Sequence, residues 1–163
     1  MKNIYLSIII TICLTLSLKA NNLQISNVTA TTTSVSFNIS WENSWNVQNL
    51  SRDAVWIFVK FQDCSTTNKS WDHMNLSSTS SDHSVSGGLL QVDAVTDGKG
   101  VFIRRAAFGG GDNPSTPVTL AFATPLTDIT QVNFDVVGIE MVYVPQGSFY
   151  ASDGASNNFM GNN

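Results

Sequence analysis

The sequence predicts an all-β protein, an antiparallel β-sandwich of about eight strands with an immunoglobulin-like or jelly-roll layout. Apolar residues recur at every second position in several short segments, which is the period of a strand with one buried face. These segments follow one another at roughly 10–15 residues, a spacing typical of sandwiches. Outside residues 1–20, no segment has the 3.6-residue period of an amphipathic helix.

The first three predicted strands lie between residues 23 and 61. Leu23, Ile25 and Val28 indicate a slightly irregular strand, and a strict alternation of apolar and polar residues follows over residues 35–41. Residues 54–61 include apolar side chains on both faces of the predicted strand. This pattern predicts a central strand that is covered on two sides.

The remaining predicted strands lie between residues 71 and 144. A weak alternation spans residues 71–75, and clearer strands occupy residues 118–122 and 132–144. Residues 89–95 and 101–106 flank the turn Thr96-Asp97-Gly98-Lys99-Gly100, which predicts a hairpin because its glycines accept positive φ.

Three segments predict interruptions of this pattern. The glycine-rich residues 108–114 are the clearest predicted loop in the middle of the chain, and the Ser/Thr-rich residues 76–84 predict a loop or a polar edge strand. Gly138 interrupts the last strand, and we expect a bulge there at which the chain changes sheet.

Residues 1–20 have the layout of a secretory signal peptide. Lys2 precedes an apolar run from Ile4 to Leu18, and Ala20 is a small residue at the cleavage point. The run is shorter than the roughly 20 residues that span a bilayer. We therefore expect an exported protein, secreted or at the cell surface, with no membrane segment after cleavage. The β-sandwich domain would occupy residues 21–145, followed by a flexible tail over residues 146–163.

Composition and charge limit the classes of partner. Only 12% of the residues are charged, and Ser, Thr and Asn make up close to a third of the chain. The net charge is −4, and the only basic cluster is Arg104-Arg105, so nucleic acid is not an expected partner. After cleavage Cys64 is the one remaining cysteine, which excludes an internal disulfide. A buried thiol and a contact between chains both remain open for it.

No pattern in the sequence indicates catalytic residues or a metal site. The pairs Asp72-His73 and Asp82-His83 are ten residues apart without a third ligand motif, so polar surface positions are the preferred interpretation. Calcium at the turns of Asp97 or Asp112 is a weaker hypothesis, because neither turn is rich in ligands. We expect no other cofactor.

The four tryptophans give the candidate ligand-binding residues. Trp41 and Trp56 are in phase with their strands and are expected to pack inside or between the sheets. Trp45 lies in the apparent polar turn of residues 42–46, and Trp71 lies in the weak polar strand. An exposed ring at Trp45 or Trp71 would suggest contact with a glycan.

The C-terminal part of the chain resembles a known family. Met141 to Phe149 fits the phrase Met-Val-x-Val-Pro-x-Gly-x-Phe, which typically opens a formylglycine-generating-enzyme-like domain of the sulfatase-modifying-factor family. Residues 39–45, 54–60 and 100–103 resemble the β-domain that precedes such domains in exported proteins of Bacteroidota-like bacteria. The catalytic part of the family lies farther downstream, and no residue of this sequence matches its active site. The resemblance therefore implies that this chain is not itself an enzyme.

Three functional hypotheses follow. The first is a non-catalytic exported module for surface recognition or positioning, with a glycan as a candidate ligand. The second is a subunit of an extracellular fibre or surface layer that binds copies of itself; its candidate contacts are Cys64, Phe149, Tyr150 and Phe159, and deletion of residues 146–163 should prevent assembly. The third is the N-terminal part of a formylglycine-generating-enzyme-like protein.

Overall fold

The computed structural model describes residues 21–47 and 51–143, which form an antiparallel all-β fold without an α-helix. The all-β prediction is confirmed, with nine strands instead of eight, because Ser84, at the end of the Ser/Thr-rich segment, and Val85 form an additional short strand. The strands are β1 (Gln24–Ala30), β2 (Ser34–Val47), β3 (Ser51–Asp63), β4 (Asp72–Met74), β5 (Ser84–Val85), β6 (Leu90–Ala94), β7 (Val101–Arg105), β8 (Gly109–Ala121) and β9 (Val132–Tyr143). A short 3-10 helix covers Ser80–Asp82.

The strands form one sheet in the order β5-β8-β2-β3-β7-β6, which folds over itself like a sandwich. β1 adds to β2 on one half, whereas β4 and β9 add to β3 on the other. The hairpin between β2 and β3 joins the halves through the pairs Asn46↔Arg52 and Val47↔Ser51. Side chains of β1 reach the middle of β9, so the sheet is partly closed like a barrel.

The core lies between the two halves and follows the alternation read from the sequence. In β2, Val35, Phe37, Ile39 and Trp41 are each at most 2% exposed. The inward positions of β3, β7 and β8 complete the cluster, notably Val55, Ile57, Val59, Val101, Ile103, Val118 and Leu120. Burial of each such side chain contributes about 1.5–3 kcal/mol, so this cluster is the main source of stability.

The predicted hairpin at residues 96–100 is confirmed between β6 and β7. Gly98 has φ +66, and a Cβ at this position would lie 2.8 Å from the carbonyl oxygen of Leu76. Asp97 accepts a hydrogen bond from the backbone N–H of Lys99 and so stabilises the turn. Glycine is required here both by the backbone conformation and by the close approach of another segment.

The predicted loop at residues 108–114 is wrong, because β8 begins at Gly109. Gly109, Gly110 and Gly111 form the start of β8 and pair with the last residues of β2, so the ladder between these two strands reaches the end of β2. The guanidinium group of Arg105 donates to the carbonyl oxygens of Gly111 and Asp112. These tertiary bonds hold the glycine-rich segment in the sheet, where Gly109 and Gly111 have positive φ values of 140 and 123 that other residues rarely adopt.

The expected bulge at Gly138 is also wrong. β9 pairs with β3 in unbroken register along all twelve of its residues, and Gly138 lies opposite Ile57. A Cβ on Gly138 would lie 2.9 Å from Cδ1 of Ile25 and 3.0 Å from Cδ2 of Leu23. The glycine therefore makes room for side chains near β1, and the chain does not change sheet there.

Within the described residues, no helix is long and apolar enough to cross a membrane. Residues 1–20 and 144–163 lie outside the described part of the chain. The expected signal peptide and flexible tail therefore stay predictions.

Candidate functional site

The outer face of β9, β3, β7 and β6 carries large apolar side chains. Because side chains alternate along a strand, Ala54, Trp56 and Phe58 lie on the face opposite the core positions of β3. Trp56 is paired with Ile139 on one side and with Phe102 on the other. The expectation that Trp56 packs inside is thus wrong, since its ring is half-buried on the outer face.

The ring of Trp56 packs against its neighbours on this outer face. It contacts the ring of Phe102 at a centroid distance of 4.7 Å and an interplanar angle of 54°. A Cβ on Gly100 would lie 2.5 Å from Cζ2 of Trp56, so only glycine allows the indole to lie against this backbone. The aromatic pair is fixed on strands, which makes it a rigid surface.

A groove of about 310 Å³ lies beside this aromatic pair, over Ala54. Ala54 has a small side chain among larger outward neighbours, and this difference in size creates the depression. The groove is lined by Arg52, Ala54, Asp93, Phe102, Arg104, Met141, Val142 and Tyr143. Its volume lies at the lower end of the range of about 300–1,000 Å³ for ligand pockets.

One side of the groove holds a fixed ion pair. Nε of Arg104 lies 2.5 Å from Oδ2 of Asp93, and its Nη2 lies 3.4 Å from Oδ1. Nε2 of Gln91 also donates to Oδ1 of Asp93, at 2.8 Å. The ion pair is partly exposed, so its contribution to stability is small, but it fixes the position of both charges.

The other side of the groove holds a guanidinium group over an aromatic ring. The guanidinium carbon of Arg52 lies 4.8 Å from the centre of the Tyr143 ring, which is a cation–π contact. Arg52 and Tyr143 are cross-strand partners on β3 and β9, so the sheet register places them side by side. Within the described residues, the Arg52 side chain forms no hydrogen bond and no ion pair with protein groups.

A buried polar layer lies inside the fold at this same end. The carboxylate of Asp53 accepts hydrogen bonds from Nε1 of Trp41 at 2.7 Å, Oγ of Ser44 at 2.9 Å and the backbone N–H of Trp45 at 3.0 Å. Arg105, next to the groove residue Arg104, is also buried and donates to the backbone of β8. This layer fixes the ends of β2, β3 and β8 beneath the groove.

Trp45 is part of strand β2 and not of a turn, so this expectation is wrong. The ladder of β2 with β8 has register irregularities between Ile39 and Ser44, and Asn43 has φ 56, a conformation that asparagine adopts more readily than most residues. The indole is half-buried, and its Nε1 donates weakly to Oγ of Ser51 at 3.4 Å. Trp45 does not line the groove over Ala54.

Trp71 lies just before β4 and is 46% exposed. Its neighbour Asp72 pairs with Phe61, whereas Trp45 bonds to Asp53. These two positions on β3 are separated by roughly 26 Å along an extended strand. The two tryptophans thus belong to opposite ends of the fold and do not form one binding surface.

Cys64 lies at that second end, directly after β3. It is a free, half-buried thiol, and its Sγ accepts from Nδ2 of Asn133 at 3.3 Å. The interpretation as a buried thiol is therefore wrong, whereas a contact between chains stays a prediction. The other candidate contacts between subunits, Phe149, Tyr150 and Phe159, lie outside the described residues.

The two Asp-His pairs are used in separate structural contacts. The Nε2 atom of His73 lies 2.6 Å from the carbonyl oxygen of Lys99. His83 is buried, with Nε2 at 3.0 Å from the carbonyl oxygen of Ser77, and its Nδ1 accepts from the backbone N–H of Ala121. This pattern requires the tautomer with the proton on Nε2. The imidazole of His83 joins two chain segments.

The turns named for calcium use their carboxylates internally. Asp97 accepts from the backbone of Lys99, and Asp112 accepts from the backbone N–H of Asn43. In residues 21–47 and 51–143, no group of three or more His, Cys, Asp or Glu side chains is arranged to hold a metal ion.

A second groove, of about 340 Å³, lies at the end of the fold away from Ala54 and is lined in part by Asp63 and Asp128. Hydrogen bonds from the side chain and backbone of Ser65 lower the pKa of Asp63. Those from the backbone and side chain of Thr130 lower the pKa of Asp128. Both carboxylates are thus engaged in their own turns.

Comparisons with protein-family models, with curated proteins and with solved structures found no match for this chain. The resemblance of Met141 to Phe149 to the sulfatase-modifying-factor family stays a prediction, and only Met141, Val142 and Tyr143 of that phrase are described, as the end of β9.

The sequence also contains a signal for the groove, and this signal does not involve Trp45 or Trp71. Arg52, Ala54 and Trp56 share the outward phase of β3, with the smallest side chain between two large ones, although Arg52 precedes the strand predicted at residues 54–61. Phe102 and Arg104 share the outward phase of the predicted hairpin, opposite Asp93 and Gln91. What the pattern does not give is that β3 and β7 are neighbours.

Proposed function

We propose that this protein is a non-catalytic recognition module, exported to the cell surface or beyond, that binds a saccharide in the groove over Ala54. The observation that carries the proposal is the lining of this groove. Aromatic rings of Phe102 and Tyr143 lie beside the guanidinium groups of Arg52 and Arg104 and the carboxylate of Asp93.

The chemistry of a sugar ring matches this lining. A sugar presents C–H groups on its faces and hydroxyl groups around its rim. The negative face of an aromatic ring attracts polarised C–H groups, and such faces are supplied by Phe102 and by the side of Tyr143 that Arg52 does not cover. Charged donors and acceptors form strong hydrogen bonds with hydroxyl groups, and the fixed Arg104–Asp93 pair supplies both kinds.

The groove is also positioned as a binding site should be. Its residues project from the paired strands β3, β6, β7 and β9, so their backbone positions are set by ladders of hydrogen bonds. A rigid site loses little conformational freedom when a ligand binds, which favours affinity.

The test fills the groove without removing any polar contact. Ala54→Leu places three additional carbons at the floor of the groove. On a broad oligosaccharide array, we expect this variant to lose binding to every oligosaccharide that the unaltered protein binds. Ala123→Leu adds the same volume at an exposed position after the far end of β8 and should leave binding unchanged. Thermal unfolding by circular dichroism would check that both variants fold.

Failure of the unaltered protein to retain any oligosaccharide on the array would refute the proposal. Equal binding by Ala54→Leu and the unaltered protein would refute the assignment to this groove.

A second candidate function is self-assembly through β9, as in a fibre or surface-layer subunit. Within the described residues, β9 forms a ladder with β3 alone, so its other edge carries free backbone donors and acceptors. The C-terminal part of β9 also exposes about half of each of the side chains Ile139, Met141, Val142 and Tyr143. A long apolar edge of this kind favours pairing with the same strand of a second copy.

Light scattering after size-exclusion chromatography distinguishes this candidate. Assembly through β9 predicts oligomers or filaments that Ile139→Lys converts to monomers, since a charge would be placed on the paired edge. Val28→Lys makes the same change on β1 and should leave assembly intact. A monomer at high micromolar concentration would exclude the candidate.

A further inference from the structure

We infer that the groove over Ala54 selects an acidic saccharide, whose carboxylate binds the guanidinium group of Arg52. This inference rests on the proposed function and adds the class of sugar and the residue that recognises its charge.

The charge of the groove is opposite to that of the whole protein. The chain has a net charge of −4 and contains three arginines, Arg52, Arg104 and Arg105. Two of them line the groove, together with one carboxylate, Asp93. An acidic protein therefore presents a locally positive concave surface, and charge complementarity favours a negatively charged ligand.

Arg104 is not the residue that meets this charge. Its guanidinium group already contacts both oxygens of Asp93, and Nη1 donates to the carbonyl oxygen of Arg105 at 3.2 Å. A ligand carboxylate approaching Arg104 would also meet the charge of Asp93. The charges of Arg104 and Asp93 therefore balance each other, and this pair forms hydrogen bonds with hydroxyl groups of the sugar.

The guanidinium group of Arg52, unlike that of Arg104, is not held in an ion pair with a carboxylate within the described part of the chain. This guanidinium group lies over the ring of Tyr143. Stacking on Tyr143 restrains the plane of the guanidinium group and leaves its N–H groups at the edge for an incoming ligand. A carboxylate fits such an edge with two parallel hydrogen bonds.

Tyr143 links the apolar contact with the sugar ring to the charged contact with its carboxylate. It lines the groove and also supports Arg52, so a sugar ring packed against the aromatic lining would bring its carboxylate within reach of that arginine. Arg52 is half-buried, which reduces the screening of its charge by solvent. The site therefore combines an apolar contact with an oriented cation.

The experiment uses acidic oligosaccharides and the same oligosaccharides after chemical reduction of their carboxyl groups to alcohols. Isothermal titration calorimetry with both probes should show about 10- to 100-fold tighter binding of the acidic form, the range of one charge-assisted contact. The preference should decrease as sodium chloride is raised from 50 to 500 mM.

Two variants assign the preference to Arg52. Arg52→Gln should reduce the preference for the acidic probe to threefold or less, measured as the ratio of the dissociation constants of the two probes for this variant. Lys69→Gln removes the same charge at an exposed position near the other end of β3 and should keep the full preference.

The outcomes separate this inference from the proposed function. Equal binding of the acidic and reduced probes would refute the inference and leave a neutral-saccharide module. A preference that persists in Arg52→Gln would refute the role of that residue. If neither probe nor any other saccharide binds, both the proposed function and this inference are wrong.

Discussion

The buried carboxylate of Asp53 accepts three hydrogen bonds, and replacing it with asparagine tests how the polar layer under the groove is stabilised. Oδ1 accepts from Ser44 and from the backbone of Trp45, whereas Oδ2 accepts from Nε1 of Trp41. Asparagine has nearly the same shape but only one acceptor oxygen. If that oxygen occupies the position of Oδ1, the amide NH2 faces the indole N–H, and two donors oppose each other.

The structure sets the size of the expected effect. Trp41 is 1% exposed, so its N–H would lose its partner without gaining water, at a cost of about 1–3 kcal/mol. Loss of the charge also weakens the two retained hydrogen bonds, by about 1 kcal/mol in total. We therefore expect Asp53→Asn to lower the free energy of unfolding by about 2–4 kcal/mol.

Urea unfolding followed by circular dichroism measures this change without relying on tryptophan fluorescence. An exposed aspartate on β9 gives the matched control, because Asp135→Asn should change the free energy of unfolding by less than about 0.5 kcal/mol. The slope against urea concentration should be the same in all variants, which keeps the comparison two-state.

A double-mutant cycle with Trp41→Phe makes the test specific to the Trp41–Asp53 contact. Phenylalanine has no N–H, so the opposed donors disappear in the double variant. We expect its destabilisation to be at least about 1 kcal/mol smaller than the sum of the single effects. Additive single effects, or an Asp53→Asn variant as stable as Asp135→Asn, would refute the reasoning.

Three further predictions concern other positions. Gly98→Ala should destabilise the fold by about 2 kcal/mol or more in urea unfolding, because φ is +66 and the new Cβ would lie 2.8 Å from the carbonyl oxygen of Leu76; a loss below 0.5 kcal/mol would contradict this close approach. Gly138→Ala should cost less than about 1 kcal/mol in the same assay, because its neighbours are the movable ends of side chains; a cost above 3 kcal/mol would show that β1 cannot adjust. Hydrogen bonds from Thr130 lower the pKa of Asp128 below its ordinary value of 3.8, so the ionised form stabilises the fold above that pH and this contribution is lost as pH falls through the lower folded value; the stability of Asp128→Asn should fall less steeply than that of the unaltered protein below pH 4, and identical acid profiles would exclude this contribution.

Local patterns were sufficient for the strands whose information lies within a few residues. The alternation of residues 35–41 reports directly which side chains of β2 enter the core. The turn at residues 96–100 is encoded by its own glycines and by Asp97. The prediction of a loop at residues 108–114 was wrong because the place of this segment in the sheet depends on Arg105 and on pairing with β2, neither of which a local pattern reports.

The sequence by itself determined the all-β class, the hairpin of β6 and β7 and the inward face of β2, since these depend on period and turn chemistry. Only the tertiary structure decided that β3 lies between β7 and β9. That order brings Arg52, Phe102 and Tyr143 around the small side chain of Ala54. Pairing of strands distant in sequence is fixed by the packing of the whole core, so a groove built across such strands cannot be read from any one segment.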